Sequence, residues 1–256
     1  MNKSKDLEIN KKSYTTYIKI TRPPHNFFDA SLISQIADIL EEMDDDDKCR
    51  SIILHSEGKN FCAGANFTKS DFKDGGEVYP NLYKQAIRLF KTKKPIIAVI
   101  QGAAIGGGLG LALAADFRIA CENSRFSANF AKLGFHHGFG TTVTLPRVIG
   151  NQKAKLMLLT SIRVKGKDAY NMGLADYYVD KIELINKANE ISELINSSGP
   201  LGIESIRNTI NQGLVDEISK AVIREASEQN RLKDTKDFIE GINASLERRE
   251  AIFNRH

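Results

Sequence analysis

Short runs of apolar, largely β-branched residues recur in the first half of the chain and predict buried strands. They are YIKI at residues 17–20, SIIL at 51–54, IIAVI at 96–100 and FRIAC at 117–121. Each run is short and bounded by polar or turn-forming residues, which favours strands over helices.

Between the first two runs, apolar residues recur with the spacing of a helix. Apolar residues recur at a spacing of three or four from Leu32 to Met43, and Asp29 precedes them as an N-cap candidate. This pattern predicts an amphipathic helix and a strand–helix–strand unit. Further helices are predicted at about 81–91 and at 109–115, so the fold class is α/β.

Beyond about residue 183 the strand pattern ends, and helical patterns follow one another around the SSGP break at 197–200. We therefore predict two regions: residues 1–182 form the α/β core, and residues 183–256 form a helical C-terminal subdomain.

The composition and net charge of the chain narrow the class of protein. The chain has 256 residues, 41% hydrophobic and 27% charged, which suits a globular protein with a full core. Its net charge of +4 comes from basic residues spread along the sequence, so nucleic acid is not an expected partner. The acidic run MDDDDK at 43–48 is expected to be a solvated loop rather than a metal site.

Cysteine use and hydropathy favour a cytoplasmic protein. Cys49, Cys62 and Cys121 are far apart and odd in number, so neither disulfides nor a thiolate metal site is predicted. The first ten residues lack the apolar core of a signal peptide, and the apolar stretch 96–117 is broken by Gln101 and five glycines. We expect no membrane span.

The stretch GGGLGLALAAD at residues 106–116 follows a predicted strand and opens a predicted helix. Backbone N–H groups at such a position can bind developing negative charge. The stretch fits neither G-x-G-x-x-G nor the P-loop, so a nucleotide site is not indicated. The alternative interpretation is a helix packed so closely on a strand that side chains are excluded.

Several segments together resemble the crotonase superfamily, which is the enoyl-CoA hydratase and isomerase family. They are RPPHNFFDASL at 22–32, NFCAGANF at 60–67, KPIIAVIQGAAIGGGLGLALAADFRIA at 94–120, LPRVIGNQKAKLMLLT at 145–160 and GKDAYNMGLADYYVD at 166–180. The resemblance implies a spiral of strand–strand–helix turns and a coenzyme A thioester as substrate, with no other tightly bound cofactor. It also implies that the helical C-terminal part forms a homotrimer, or a hexamer built from two trimers, and helps to close the pocket.

The resemblance assigns the oxyanion hole to two backbone N–H groups, those of Ala65 and Gly107. It places Arg22, Ala63 and Ala65 near the coenzyme, with Arg22 a candidate for its phosphates or, equally, a structural residue. Phe130, Gly138 and Tyr83 fall at the acyl group.

This sequence departs from the hydratases where they carry two glutamates, because those positions fall on Gly110 and Phe130. Standard hydration needs a general acid and base, so we expect another reaction, such as decarboxylation or isomerisation. A non-catalytic acyl-CoA-binding protein is the alternative. Decarboxylating relatives of polyketide β-branching carry a C-terminal histidine where this chain has Gln229 or Asn230.

Histidines offer a substitute for the missing carboxylates, because imidazole titrates near neutral pH. GFHHGFG at 134–140 places His136 and His137 in the loop expected to line the acyl group. We predict His136 as the acid or base; in the alternative, one histidine caps the next helix or packs against phenylalanine. Tyr79 and Tyr83 are candidate proton donors, and Lys69 and Lys73 are candidate phosphate ligands, although solvated or packed side chains are the simpler interpretation.

Overall fold

A computed structural model describes the backbone of residues 6–65 and 78–256. It describes the side chains of residues 6–65 and 81–256. The strands in these ranges are β1 (Leu7–Lys12), β2 (Thr15–Ile20), β3 (Ser51–Ser56), β4 (Ile96–Ile100), β5 (Ala103–Ile105), β6 (Phe117–Ala120), β7 (Arg125–Ser127), β8 (Val164–Lys165) and β9 (Tyr177–Tyr178). The helices are α1 (Ala30–Asp44), α2 (Val78–Leu89), α3 (Gly107–Leu113), α4 (Thr141–Thr160), α5 (Gly166–Met172), α6 (Leu184–Asn196), α7 (Pro200–Ile210), α8 (Leu214–Leu232) and α9 (Lys236–Glu247).

Two sheets form the core. The larger has the order β1-β2-β3-β4-β6-β9, and the smaller has the order β5-β7-β8. From β2 to β9 the larger sheet is parallel, whereas β1 pairs with β2 in antiparallel fashion. The predicted runs correspond to β2, β3, β4 and β6.

Helices cover the larger sheet on both faces, which explains why its central strands β3 and β4 carry apolar residues on both sides. Alternate residues of β3 point to opposite sides: Ile52 and Leu54 join the main core with α1, and Ile53 joins a second cluster with Leu184 and Ala188 of α6. The strand pattern therefore reflects burial on two sides.

Helix α1 begins as the sequence predicts. The Asp29 side chain accepts a hydrogen bond from the Leu32 N–H at 2.9 Å, which satisfies one of the free donors of the first turn. Helix α3 begins at Gly107, two residues before the predicted start, because two of the three glycines belong to the helix itself.

No strand follows Tyr178 within the described residues. Helix α6 packs on β3, β4 and β6, α8 packs on α2 and α4, and α9 packs on the 3-10 turn Ala131–Leu133. None of the helices in the described ranges is long and apolar enough to cross a membrane.

Candidate active site

The segment after β3 is fixed between two other parts of the fold. The Cys62 N–H donates to the Ala103 carbonyl at 2.8 Å, and the Ile105 N–H donates back to the Cys62 carbonyl at 3.0 Å. The Phe28 N–H donates to the Gly64 carbonyl at 3.1 Å, which pairs Phe28 with Ala65. These bonds place Ala65 beside the glycines that open α3.

The glycine triplet is required by both close packing and backbone shape. Gly106 has φ +57°, a region that disfavours side chains, and its N–H donates to the Ser127 carbonyl at 2.8 Å. A Cβ atom on Gly107 would lie 2.2 Å from Phe28 Cζ, and one on Gly108 would lie 2.1 Å from the Cys62 oxygen. The two interpretations of the triplet are therefore compatible, since the packing that excludes side chains also leaves the Gly107 amide uncovered.

Two backbone amides at this point have no acceptor among the described residues. Within residues 6–65 and 78–256, neither the Ala65 N–H nor the Gly107 N–H donates to a protein acceptor. Both residues line one cavity of about 60 Å³. An oxyanion hole requires preorganised donors that face a shared space, and these two amides are the candidates for that role.

The cavity is largely apolar. Its described lining comprises Phe28, Ala63, Gly64, Ala65, Leu82, Tyr83, Gly106, Gly107, Asn129, Phe130, Leu133, Phe135, Gly138, Phe139 and Gln229. Four of these residues are phenylalanines, so the surroundings of the two amides are poor in polar groups. Hydrogen bonds to a developing charge are stronger there than in water.

A larger cavity of about 540 Å³ lies elsewhere, between α7 and the core. Neither Ala65 nor Gly107 is among its described lining residues, and two of its charged residues form an ion pair, Arg207 with Asp116 at 3.0 Å. This cavity is larger than the one beside the glycine triplet, but the amides of Ala65 and Gly107 make the smaller one the candidate active site.

Aromatic rings occupy the space at the two positions where the hydratases carry glutamates, Gly110 and Phe130. Phe130 lines the cavity, and a Cβ atom on Gly110 would lie 2.6 Å from the Phe139 ring. Phe139 is 1% exposed and packs edge-to-face on Phe28 with ring centroids 5.7 Å apart. No carboxylate is present among the described lining residues.

Our prediction for His136 is not supported by the geometry. His136 is not among the described lining residues, and its Nδ1 lies 2.9 Å from the His137 carbonyl oxygen. His137 turns away to the Leu158 carbonyl at 2.9 Å, while its ring contacts Phe130 edge-to-face. Burial lowers the pKa of His137 to about 4, so it is neutral at pH 7. The packing alternative describes both histidines better than a catalytic role does.

Tyr83 and Gln229 form a buried polar pair in the cavity wall. The Tyr83 hydroxyl donates to Gln229 Oε1 at 2.5 Å, and Gln229 Nε2 donates to the carbonyls of His136 at 2.9 Å and His137 at 3.2 Å. A Cβ atom on Gly138 would lie 2.1 Å from the Tyr83 hydroxyl oxygen. The structure thus brings together the predicted residues Tyr83, Gly138 and Phe130, and it adds Gln229 from the C-terminal part.

Arg22 is held by acidic neighbours. Its guanidinium contacts Asp6 at 2.6 Å and Asp29 at 2.9 Å. Burial alone would lower the pKa of Arg22, but hydrogen bonds to both carboxylates raise it above its ordinary value. This geometry favours the structural role over phosphate binding. Ala63, by contrast, lines the cavity, with its N–H donating to the His25 carbonyl at 3.0 Å.

Three candidates lie outside the described residues: Lys69, Lys73 and the side chain of Tyr79. The sequence reasoning also missed Glu225, a carboxylate 1% exposed on α8. Glu225 accepts hydrogen bonds from the Gly140 N–H at 2.8 Å and the Thr142 N–H at 3.2 Å. It caps the N-terminus of α4 from a distant helix, and no local sequence pattern signals such a contact.

The order of the strands and helices and the apolar cavity beside the glycine triplet agree with the fold expected from the sequence. Residues 10–256 match the family model described as enoyl-CoA hydratase/isomerase, and the chain belongs to that family. The resemblance seen in the sequence is thereby confirmed.

Individual relatives align over nearly the whole chain. It is 31% identical to a crotonyl-CoA hydratase of Syntrophomonas wolfei, covering 97% of each chain. It is 30% identical to a short-chain-enoyl-CoA hydratase of Clostridium acetobutylicum, covering 94% of this chain and 95% of the relative. The crystal structure of an enoyl-CoA hydratase from Mycobacterium avium subsp. paratuberculosis superposes with a TM-score of 0.86 at 25% identity, covering 97% and 98% of the two chains. The predicted α/β crotonase-like fold is confirmed.

Proposed function

We propose that this protein stabilises the enolate of an acyl-CoA thioester through the backbone N–H groups of Ala65 and Gly107. The observation that carries the proposal is that both uncovered donors line one apolar cavity. A thioester oxygen placed between them gains negative charge as the enolate forms, and each donor contributes on the order of 3 kcal/mol to the transition state. Phe130, Gly138 and Tyr83 surround the acyl group, and Ala63 lies on the coenzyme side.

The reaction that best suits this cavity forms the enolate without a protein base. In decarboxylation, the bond between the α-carbon and the carboxylate breaks, carbon dioxide leaves, and the electron pair moves onto the thioester oxygen. A proton then returns to the α-carbon from solvent. This chemistry needs the oxyanion hole but not the pair of carboxylates that is absent from the described lining.

Hydration of a short enoyl-CoA is the second candidate, and the names of the relatives favour it. It requires an acceptor that holds a water molecule and a group that returns a proton, typically 10² to 10⁴-fold effects each. A protein that binds acyl-CoA without turning it over is the third candidate, favoured by the aromatic filling around Gly110 and Phe130.

Incubation with a panel of acyl-CoAs followed by mass spectrometry separates these candidates. The panel contains malonyl, methylmalonyl, crotonyl and saturated butyryl thioesters. We expect loss of carbon dioxide from a malonyl-type substrate. Addition of water to crotonyl-CoA would favour hydration instead, and binding with no new product mass would favour the non-catalytic alternative. If none of the four thioesters binds to the protein, the proposal is overturned.

We further propose that residues 183–256 form the assembly surface and help to close the pocket. Gln229 of α8 lines the cavity, which supports the second role. Helix α7 has no buried residue, and Leu201, Ile206 and Ile210 on it are 79%, 58% and 71% exposed. An apolar helix face of this kind is expected to be covered by another copy of the chain. Light scattering should report a homotrimer or hexamer, and the 28.5 kDa monomer at all concentrations would contradict this.

The free state of the cysteines fits a cytoplasmic location. Cys49, Cys62 and Cys121 are all free and buried. Fractionation of the source cells, with the protein detected by antibody, tests this part of the proposal.

A further inference from the structure

Three polar side chains line the cavity in the part of the chain that the structure describes: Tyr83, Asn129 and Gln229. Tyr83 donates to Gln229 at 2.5 Å, and Gln229 donates in turn to the carbonyls of the loop at 136–137. Asn129 differs from both, because its side chain makes no hydrogen bond with any described residue. A carboxamide, with its NH₂ donor and its oxygen acceptor, is therefore available to a molecule bound in the cavity.

The usual local reasons for an asparagine in a loop do not apply to Asn129. Asparagine side chains commonly cap helices or bond to the backbone of a turn. The 3-10 turn Ala131–Leu133 begins after Phe130 with no side-chain hydrogen bond at its cap. Asn129 is half-buried, so its carboxamide is partly removed from water without a described protein partner in exchange. A bound ligand can supply the missing partner.

The pairing of β5 with β7 brings Asn129 close to the proposed amide donors. The two strands are parallel, with Ile105 opposite Ser127, and the Gly106 N–H donates to the Ser127 carbonyl at 2.8 Å. The chain therefore leaves both strands in the same direction. A Cβ atom on Gly106 would lie 3.0 Å from Asn129 Oδ1, so the carboxamide packs on the residue that directly precedes Gly107.

This placement determines which part of an acyl group Asn129 can reach. In a thioester the α-carbon is bonded to the carbonyl carbon. When the carbonyl oxygen binds at the Gly107 N–H, a side chain packed on Gly106 faces the substituents of the α-carbon. Phe130, the next residue after Asn129, lines the same cavity and belongs to the proposed acyl side.

The charge of the cavity wall indicates what kind of substituent is suited to Asn129. No lysine, arginine or histidine is among the described lining residues, so an anion here would be held by neutral donors. A carboxylate that leaves as carbon dioxide loses its charge in the transition state. A cationic side chain would stabilise the bound carboxylate more than that transition state and would slow the reaction. A neutral carboxamide orients the carboxylate with a smaller effect of this kind.

We propose that Asn129 is a specificity-determining residue whose Nδ2 group donates a hydrogen bond to a carboxylate on the α-carbon of the thioester. The proposal rests on the acyl-CoA function proposed above and narrows its substrate class to 2-carboxyacyl-CoA. The carboxylate bound by Asn129 is the group that leaves as carbon dioxide. Since no hydrogen bond to a described residue fixes the carboxamide, its NH₂ group can turn towards the anion.

Calorimetry with three thioesters that cannot lose carbon dioxide tests this proposal. Sulfoacetyl-CoA carries an anion on the α-carbon. Methylsulfonylacetyl-CoA has a methyl group in place of one sulfonate oxygen and no charge there, and butyryl-CoA has an apolar chain. The proteins are the unmodified chain, Asn129→Leu, Asn129→Asp and the control Asn171→Leu, whose side chain is exposed on α5.

Asn129→Leu keeps the branched shape of asparagine and removes its donor. We expect it to weaken sulfoacetyl-CoA binding about 10- to 100-fold, as loss of one hydrogen bond to a charged group does. The affinity for butyryl-CoA should stay within about twofold, and the uncharged sulfone should lose less than the sulfonate. Asn129→Asp should weaken sulfoacetyl-CoA at least as much, because its carboxylate repels the anion. Asn171→Leu should leave all three affinities unchanged.

Unchanged sulfoacetyl-CoA affinity in Asn129→Leu would overturn the proposal, and so would equal losses for all three thioesters or a comparable loss in Asn171→Leu. Full sulfoacetyl-CoA affinity in Asn129→Asp would show that Asn129 is not the donor. If the unmodified protein binds butyryl-CoA but not sulfoacetyl-CoA, the substrate class is wrong and the acyl-CoA function is retained. If it binds none of the three, the acyl-CoA function itself is overturned, and this proposal with it.

Discussion

Gly138 illustrates a glycine required by its neighbours. Replacing it with alanine would place a methyl group 2.1 Å from the Tyr83 oxygen and 2.7 Å from Gln229 Nε2. The pair would have to separate, which leaves buried polar groups unpaired. We expect Gly138→Ala to lower the free energy of unfolding by about 1–3 kcal/mol and to weaken butyryl-CoA binding, measured by urea denaturation and calorimetry.

Gly202 provides the matched control. It lies in α7, and a Cβ atom there would meet nothing within 4 Å. Gly202→Ala should leave stability unchanged or raise it by about 0.5–1 kcal/mol. Equal effects of the two substitutions would show that contact with Tyr83 and Gln229 is not the cause.

Glutamates cannot be introduced at Gly110 and Phe130, where the hydratases carry them, without also changing Phe139. A side chain on Gly110 would begin 2.6 Å from the Phe139 ring, and Phe139 has φ +65°, which glycine adopts readily. We expect Gly110→Glu with Phe130→Glu to destabilise the protein without adding hydration of crotonyl-CoA. Adding Phe139→Gly should allow hydration above the level of the unmodified protein.

The assay is absorbance loss of the enoyl thioester, with Phe139→Gly alone as the control. Hydration by the double variant that equals the triple variant would contradict the steric argument. Hydration by Phe139→Gly alone would show that the added carboxylates are not responsible.

At the scale of elements, α8 fixes the loop that lines the cavity. Glu225 and Gln229 are one helical turn apart, and they bind Gly140 and Thr142 on one side and the carbonyls of residues 136 and 137 on the other. In Glu225→Gln, an NH₂ group would face the Gly140 N–H or the Thr142 donors. We expect a loss of about 1–3 kcal/mol in unfolding free energy, together with weaker acyl-CoA binding.

The control is Glu217→Gln on the same helix, because Glu217 pairs with Arg147 at the surface with its side chain 54% exposed. Its effect should stay below about 0.5 kcal/mol. Comparable losses for both substitutions would argue that charge in general, rather than capping of α4, accounts for the effect.

Elements with a strong local pattern could be predicted from the sequence. Strands β2, β3, β4 and β6 and the N-cap at Asp29 follow from apolar runs and helical spacing. Strand β1 was missed because only Leu7 is buried in it, so it carries no apolar alternation. Boundaries near the glycines were also shifted, since helix propensity gives no reason to begin α3 at Gly107.

The candidate active site also has one part that could be expected from the sequence and another that could not. The uncovered amides of Ala65 and Gly107 could be anticipated from the resemblance, and the cavity contains both residues. The contribution of α8 could not be predicted, because Gln229 reaches Tyr83 across 146 positions of sequence. The contacts of Arg22 and His136 could not be predicted for a related reason: tertiary partners, rather than residue types, determine which groups these side chains contact.

For the molecule as a whole, a buried histidine should make stability depend on pH. Burial lowers the pKa of His137 to about 4 in the folded state, against an ordinary value near 6.5. The unfolded chain therefore binds the proton more tightly. The stabilisation is complete above pH 6.5 and is lost as the pH falls towards 4, by about 3 kcal/mol for this group.

Urea denaturation from pH 7 to pH 4 measures this effect. We expect His137→Gln to lose less stability over that range than the unmodified protein, with the exposed His25→Gln as control. His55, whose pKa is also lowered to about 4 by burial, is present in every variant and cancels in the comparison. Identical losses for the unmodified protein and His137→Gln would contradict the assignment.

In the proposed function, the amides of Ala65 and Gly107 polarise a thioester oxygen in an aromatic cavity. Gly107 is the first residue of α3, where proline is tolerated, but its position lies 2.2 Å from Phe28 once a side chain is added. Phe28→Ala makes room for the ring, so Gly107→Pro in that background removes one N–H donor and puts the ring Cδ carbon in place of its hydrogen.

Isotope-edited infrared spectroscopy of butyryl-CoA labelled with ¹³C at the carbonyl measures the polarisation directly. In the unmodified protein and in Phe28→Ala, the bound carbonyl band should lie at lower frequency than in water. In Phe28→Ala with Gly107→Pro, folded by circular dichroism and saturated with ligand, that shift should fall to roughly half, since one of two donors is gone. An unshifted band in the unmodified protein, or a full shift after Gly107→Pro, would contradict the claim.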